Sequence, residues 1–198
     1  MRALVVGATG TIGTAVADIF ADAGHDVLRA SRNGAVKVDI EDPASIHAMY
    51  DGIGKVGAVI SCAGNGVFAP LSELTEHQIE YTLGSKLMGQ VNLVRFGIDH
   101  VDDGGVFVLT SGIFSRQPMP GVPALAMVNG ALESFARAAA LDLPRNLRIG
   151  TMSPPFITET AEQMGMPTEG TVSAADNARA YLDFASGTAT GAVICPGD

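Results

Sequence analysis

The chain has 198 residues, a length typical of one compact domain with its own core. Hydrophobic residues make up 47% of it and charged residues 17%, a balance that excludes a disordered chain. The formal net charge of −9 argues against a nucleic acid or an anionic membrane as partner, because both are polyanions.

Neither a membrane span nor a secretion signal is evident in the sequence. No apolar run approaches the roughly 20 residues that cross a bilayer, and the amino-terminal segment reaches a glycine turn after only a few apolar residues. Cys62 and Cys195 lie far apart in apolar runs without metal-type spacing, so we expect buried free thiols. These features predict a cytoplasmic protein.

Short apolar runs alternate with longer helical stretches along the chain. The predicted strands are RALVV, HDVLRA, AVKVD, GAVISCA, GVFVLTS, LRIGTMS and GAVICP, and the predicted helices cover 12–23, 43–50, 76–100, 123–141 and 173–185. This alternation is typical of a parallel sheet covered on both faces. We expect a single three-layer α/β domain of the Rossmann type, with about seven strands. The Pro-, Gly- and Thr-rich segment 154–171 is predicted to be a loop or lid.

Three glycines follow the first predicted strand and open the first helix. Gly7 permits a tight turn, Gly10 lets a pyrophosphate approach the backbone, and Gly13 lets the helix pack on the strand. The helix start would hold the phosphates. This pattern predicts a dinucleotide site.

The end of the second strand indicates which dinucleotide is bound. An acidic residue there would favour NAD, but the chain has Ser31 and Arg32, and an arginine suits the 2′-phosphate of NADP(H). Asp39, after the third strand, either contacts the adenine edge or caps the next helix.

Over nearly its full length the chain resembles the short-chain dehydrogenase/reductase superfamily. SCAGNG looks like the family's Asn-Ala-Gly segment, with Ala63 and Gly64 matching, and VFVLTSG places Ser111 where the family has its catalytic serine. GALESFARAAALDL, LRIGTMSPPFITET and TGAVICPGD match the elements that follow. The resemblance and the glycine turn together assign the cofactor to Gly7, Thr9, Gly10, Thr11, Ile12, Gly13, Ser31, Arg32, Asp39, Ala63, Gly64, Pro154, Ile157 and Thr158.

The chain departs from the family at the catalytic residues. The family uses a serine, a tyrosine and a lysine four residues after the tyrosine; here the alignment puts Leu125 at the tyrosine position and Asn129 at the lysine position. Residues 118–147 contain neither Tyr nor Lys. In SKLMGQVNLV, Lys86 occupies a position where the family has asparagine, so Lys86 and Asn129 have exchanged residue types. We expect Ser111, Lys86 and Asn129 to form the catalytic set, although an ordinary surface position for Lys86 stays open.

The tyrosine has no such replacement. Tyr50, Tyr81 and Tyr181 lie on other predicted helices, and nothing in the sequence ties them to the site. Without a general acid, simple ketone reduction should lose roughly 10²–10⁴ in rate, and a substrate that needs little proton donation, such as an iminium ion, becomes an alternative. Thr158 or Thr160 is expected at the cofactor carboxamide, although Pro154-Pro155 replaces the family's Pro-Gly.

Three hypotheses of function follow. In the first, the chain is an NADP(H)-dependent oxidoreductase with a rearranged site that acts on a small-molecule substrate, whose pocket we expect in 114–123 and 156–171. In the second, it is a non-catalytic NADP(H)-binding sensor or assembly partner. In the third, the cofactor is a structural or transiently redox element of an isomerase. Leu125, Val128, Leu132, Phe135 and Ala139 form a helix stripe that is predicted to face the core. The resemblance implies a homodimer or homotetramer through helices 76–100 and 123–141.

Overall fold

Seven parallel strands form one sheet in the computed structural model, which describes residues 1–197. The strand order is β3-β2-β1-β4-β5-β6-β7. The strands are β1 Arg2–Val6, β2 Asp26–Ser31, β3 Val36–Lys37, β4 Val56–Ser61, β5 Val101–Thr110, β6 Arg148–Met152 and β7 Val193–Ile194. The order reverses between β1 and β4, where Rossmann-type sheets open a crevice at the carboxyl ends of their strands. The prediction of this fold class is confirmed.

Helices cover both faces of the sheet. They are α1 Thr11–Asp22, α2 Pro43–Ile53, α3 Glu76–Thr82, α4 Gly89–Gly97, α5 Pro123–Asp142, α6 Thr158–Gln163 and α7 Ala174–Ser186. Helices α2, α4 and α5 contribute to one buried apolar cluster and α1 and α7 to the other. The predicted core stripe of α5 packs inward, with Val128 and Leu132 fully buried.

Two predicted elements differ from the structure. The single helix expected over 76–100 is divided, because a π-helical segment, Leu83–Met88, separates α3 from α4 and a 3₁₀ turn, Ile98–His100, follows. The segment 154–171 is not wholly irregular, since it contains α6. The glycine and proline content of that segment predicts a loop, but residues 158–163 contain neither glycine nor proline and form a short helix between Ile157 and Met164. None of the helices within residues 1–197 is long and apolar enough to cross a membrane.

Candidate functional site

A first pocket of about 260 Å³ lies at the carboxyl ends of β1, β2 and β4. It is lined by Gly7, Thr9, Gly10, Ser31, Arg32, Asp39, Ala63 and Gly64, eight of the residues assigned to the cofactor. Gly7 has φ +84°, and a Cβ there would lie 2.8 Å from the Cys62 carbonyl carbon. A Cβ on Gly13 would overlap the Gly7 carbonyl oxygen. The turn therefore requires glycine at both positions, and Gly13 acts beneath the pocket by permitting close packing.

The end of β2 presents polar groups without protein partners. Ser31 is buried, and its Oγ has no hydrogen-bond partner within residues 1–197. The exposed Arg32 lines the same pocket. A buried hydroxyl without a partner is costly unless a ligand or water satisfies it. The pair fits an anionic ligand at this end of the cleft.

Asp39 and Glu41 also line the first pocket, but they follow β3. The Asp39 carboxylate accepts a hydrogen bond from the Glu41 amide at 3.1 Å. The N-cap of α2 is Asp42, whose carboxylate accepts from the Ala44 amide at 2.9 Å. Of the two roles considered for Asp39, the helix cap is therefore wrong, and its position in the pocket remains.

A second pocket, of about 300 Å³, continues from the first through Cys62, Ala63, Gly64 and Asn65, which line both. It brings together the whole predicted catalytic set, Lys86, Ser111 and Asn129. Leu125, at the tyrosine position, lines the same pocket. The two pockets form one elongated cleft along the sheet edge, a shape that suits a dinucleotide with a substrate beside its far end.

Lys86 belongs to the π-helical segment, close to the loop after β4. A Cβ on Gly64 would lie 2.9 Å from the Lys86 Cα, so the glycine allows this close approach. The Lys86 carbonyl accepts a hydrogen bond from the Gln90 side chain at 3.0 Å. The Lys86 ammonium has no hydrogen-bond or ion-pair partner in the part of the chain that the structure describes, and burial lowers its pKa to about 8. An ordinary surface lysine does not behave in this way.

Ser111 is buried and is held by a carboxylate. Its hydroxyl lies 3.0 Å from Glu133 Oε1 and 3.2 Å from the Met152 carbonyl oxygen, both of which accept. The Ser115 hydroxyl donates to the same Glu133 oxygen at 2.7 Å. Glu133 is a site residue that was not predicted from the sequence; it lies four residues after Asn129 on α5. That spacing places both side chains on one helix face, and it is the signal that would have found Glu133.

Asn129 is buried, with one half of its amide occupied. Its Nδ2 donates to the Gly112 carbonyl at 3.2 Å, whereas its Oδ1 has no partner within the described residues. An acceptor that is buried without a donor at the wall of a pocket is suited to a ligand hydroxyl.

The remaining predicted cofactor residues are distributed unevenly. Ile12, Pro154 and Ile157 line the second pocket. Thr11 begins α1 and lines neither pocket. Of the two threonines considered, Thr160 lines the second pocket. Thr158 does not, because its amide donates to the Val172 carbonyl at 3.0 Å and its hydroxyl is bonded to Thr171.

Tyr50, Tyr81 and Tyr181 all lie outside the second pocket. Contrary to expectation, Tyr181 is nevertheless hydrogen-bonded to a residue that lines that pocket: its hydroxyl lies 2.7 Å from Thr110 Oγ1. Tyr181 is fully buried, and burial raises its pKa well above 10.0. Tyr181 therefore holds the Thr110 hydroxyl in position and does not supply an exposed proton donor.

Comparisons with known proteins agree with this architecture. The family model for short chain dehydrogenases matches residues 1–169. Among solved structures, the protein lin1944 from Listeria innocua superposes with a TM-score of 0.94 at 40% identity, covering 98% of each chain. A small-chain dehydrogenase solved with NADPH superposes with a TM-score of 0.89 at 26% identity, covering 98% of this chain and 95% of that one.

Curated relatives are more distant. Hydroxynaphthalene reductase arp2 of Aspergillus fumigatus is 27% identical over 115 residues, which cover 56% of this chain and 42% of that protein. An uncharacterized oxidoreductase of Methylorubrum extorquens is 24% identical over 83% of this chain and 76% of its own length. The match thus spans less than half of the Aspergillus protein. The strand order, the glycine turn and the family match lead to one conclusion: the chain belongs to the short chain dehydrogenase family.

Proposed function

We propose that this chain is an NADP(H)-dependent oxidoreductase with a rearranged catalytic set formed by Ser111, Lys86 and Asn129. The observation that carries the proposal is the Lys86 ammonium, which has no partner within residues 1–197 and lies in one pocket with Ser111 and Asn129. That pocket is continuous with the cleft above the glycine turn. Bound NADPH would supply a hydride in this cleft.

The preference for NADP(H) over NAD(H) rests on the end of β2. Ser31 Oγ is buried without a partner among the described residues, and Arg32 lines the same pocket. A guanidinium and a hydroxyl are suitable donors for a phosphate. The small-chain dehydrogenase that was solved with NADPH has the same fold, which supports this preference.

Lys86, Asn129 and Ser111 have different roles at the second pocket. Lys86 places a positive charge where an oxyanion would develop, and its lowered pKa lets the ammonium release a proton near neutral pH. Asn129 Oδ1 is free to accept from a ligand hydroxyl. Ser111 is oriented by Glu133.

An iminium substrate, considered as an alternative from the sequence, is disfavoured by charge. Among the described residues that line the second pocket there is no Asp or Glu, and Lys86 would repel a cation. The site favours a substrate that gains negative charge during reduction.

A non-catalytic NADP(H)-binding protein is the second candidate. The observation in its favour is Leu125, which is buried at the wall of the second pocket and cannot exchange a proton. The two candidates share the cofactor site and differ only in turnover.

The cofactor preference is tested by measuring NADPH and NADH binding through their fluorescence. Each hydrogen bond to a charged phosphate is worth about 1.5–3 kcal/mol, so Arg32→Ala should weaken NADPH binding roughly 10- to 100-fold and leave NADH binding almost unchanged. Arg29→Ala is the matched control, since Arg29 lies on β2, three residues before Arg32, and pairs with Asp18. Equal losses for both nucleotides would contradict the preference.

Turnover separates the enzyme from the binder. NADPH oxidation is followed by its absorbance with a panel of ketones, enals and conjugated enones. An enzyme should lose turnover in Lys86→Ala and in Ser111→Ala while both variants still bind NADPH through the first pocket. Tight NADPH binding without turnover across the panel would instead support the non-catalytic candidate.

A further inference from the structure

The second pocket has an aromatic wall made of Phe68, Phe114 and Phe156. The rings of Phe68 and Phe114 meet edge to face with centroids 6.0 Å apart, and those of Phe114 and Phe156 are tilted at 6.1 Å. All three side chains line the pocket, and Phe68 is 47% exposed. Exposure of an aromatic ring to water is unfavourable, so an exposed ring at a pocket is suited to pack against a flat apolar ligand.

Besides this aromatic wall, the lining of the second pocket carries positive charge and no negative charge among the described residues. Lys86 is the single charged side chain among the described residues that line it, in a chain whose net charge is −9. A lone ammonium without a carboxylate partner is poised for an anionic group of a ligand.

The hydroxyl of Ser111 does not compete for that group. Its proton is directed to Glu133 or to the Met152 carbonyl, so the oxygen presents lone pairs to its surroundings. Thr110 Oγ1 is likewise engaged, with the Ser61 carbonyl at 2.5 Å and the Tyr181 hydroxyl at 2.7 Å. Lys86 is therefore the charged donor that remains for a ligand oxygen among the described residues that line the pocket.

We infer that the second pocket selects flat aromatic or conjugated molecules whose oxygen is held as a phenolate or enolate by Lys86. This inference rests on the proposed function and names the substrate class of the same site: enones and quinones. Conjugate addition of the NADPH hydride to an enone carbon would leave an enolate, and hydride reduction of a quinone would leave a phenolate; in either case a proton from solvent then completes the product. The aromatic wall takes the flat skeleton and the ammonium takes the oxygen.

Acidity explains why conjugation matters when no tyrosine lines the pocket. A phenol ionises near pH 10, so its oxyanion is close in basicity to a lysine whose pKa is about 8. An unconjugated alkoxide is far more basic, nearer in basicity to hydroxide. An ammonium can stabilise the first kind of oxyanion without a further acid.

The test uses para-nitrophenol, whose phenolate is yellow, with protein saturated in NADPH and at pH values below that at which Lys86 loses its proton. We expect the pKa of the bound phenol to fall by about one unit, which is about a tenfold preference for the phenolate. Lys86→Met should abolish the preference and Lys86→Arg should retain it. Lys55→Met, at an exposed lysine outside both pockets, is the control.

The aromatic wall is tested in the same assay. Phe114→Ala should weaken binding of phenol and phenolate alike by several-fold and leave their ratio unchanged. An unshifted pKa of the bound phenol, or a preference that persists in Lys86→Met, would overturn the inference. NADPH binding is measured first: its absence would count against the proposed function, whereas its presence without a phenolate preference would count against this inference alone.

Discussion

Lys86 is the residue at which function and stability conflict. Lys86 is half-buried and has no counter-ion among the described residues, and desolvation lowers its pKa from 10.5 to about 8. Because the unfolded chain binds this proton more tightly than the folded chain does, the charge destabilises the fold at neutral pH. Groups kept at such a cost are found mostly at functional sites.

Replacing Lys86 with methionine should therefore stabilise the protein at neutral pH. The penalty is fully present below about pH 8 and is lost as the pH rises towards 10.5, so the advantage of Lys86→Met should shrink over that interval. Thermal unfolding at neutral pH and at about pH 10 measures the difference. Lys55→Met should show no such dependence on pH. A constant difference between wild type and Lys86→Met would mean that the ammonium is solvated.

At the scale of elements, the π-helical segment Leu83–Met88 carries Lys86 at the second pocket. Within this segment the Lys86 carbonyl accepts a hydrogen bond from the side-chain amide of the fully buried Gln90. The Gln90 side chain also donates to the Thr110 carbonyl and accepts from the Thr110 backbone N–H, at 2.9 Å each. One side chain thus joins the π-helical segment to the end of β5, where Ser111 follows. π-bulges of this kind often occur at functional sites.

Loss of Gln90 should loosen this junction. Gln90→Ala removes three hydrogen bonds and leaves buried backbone groups unpaired, so we expect the free energy of unfolding to fall by about 2–4 kcal/mol. Urea denaturation measures the loss, and faster amide exchange at residues 83–88 would locate it. The exposed Gln117 offers a control, since Gln117→Ala should change neither quantity. Unchanged exchange at 83–88 in Gln90→Ala would show that the segment is held by other contacts.

At the scale of the whole molecule, the cleft and the helices beside it leave apolar surface uncovered. Tyr81, Met88, Met127 and Leu141 are 37%, 41%, 47% and 87% exposed, and all four lie in the segments 76–100 and 123–142. Clustering of exposed apolar residues on adjacent helices is typical of an interface. The predicted homodimer or homotetramer through these helices remains a prediction.

The oligomer is tested by light scattering after size-exclusion chromatography. We expect wild type to elute as a dimer or tetramer and the double variant Met88→Glu/Met127→Glu as a folded monomer, because buried unpaired carboxylates destabilise an interface. Met164→Glu alters an equally exposed methionine after α6 and should leave the assembly intact. A wild-type monomer at all concentrations would contradict the prediction.

The sequence alone determined the parallel α/β fold and the glycine turn, since both depend on local patterns: apolar periodicity over single elements and glycine where a Cβ would clash. It also named Ser111, Lys86 and Asn129 through a resemblance. Only the tertiary structure brought these three into one pocket, paired Glu133 with Ser111 and bonded Tyr181 to Thr110. Those contacts join residues from separate elements, and their distances depend on how the helices pack on the sheet. The π-helical segment escaped prediction for the same reason, because Gln90 bonds across to Thr110 on another element.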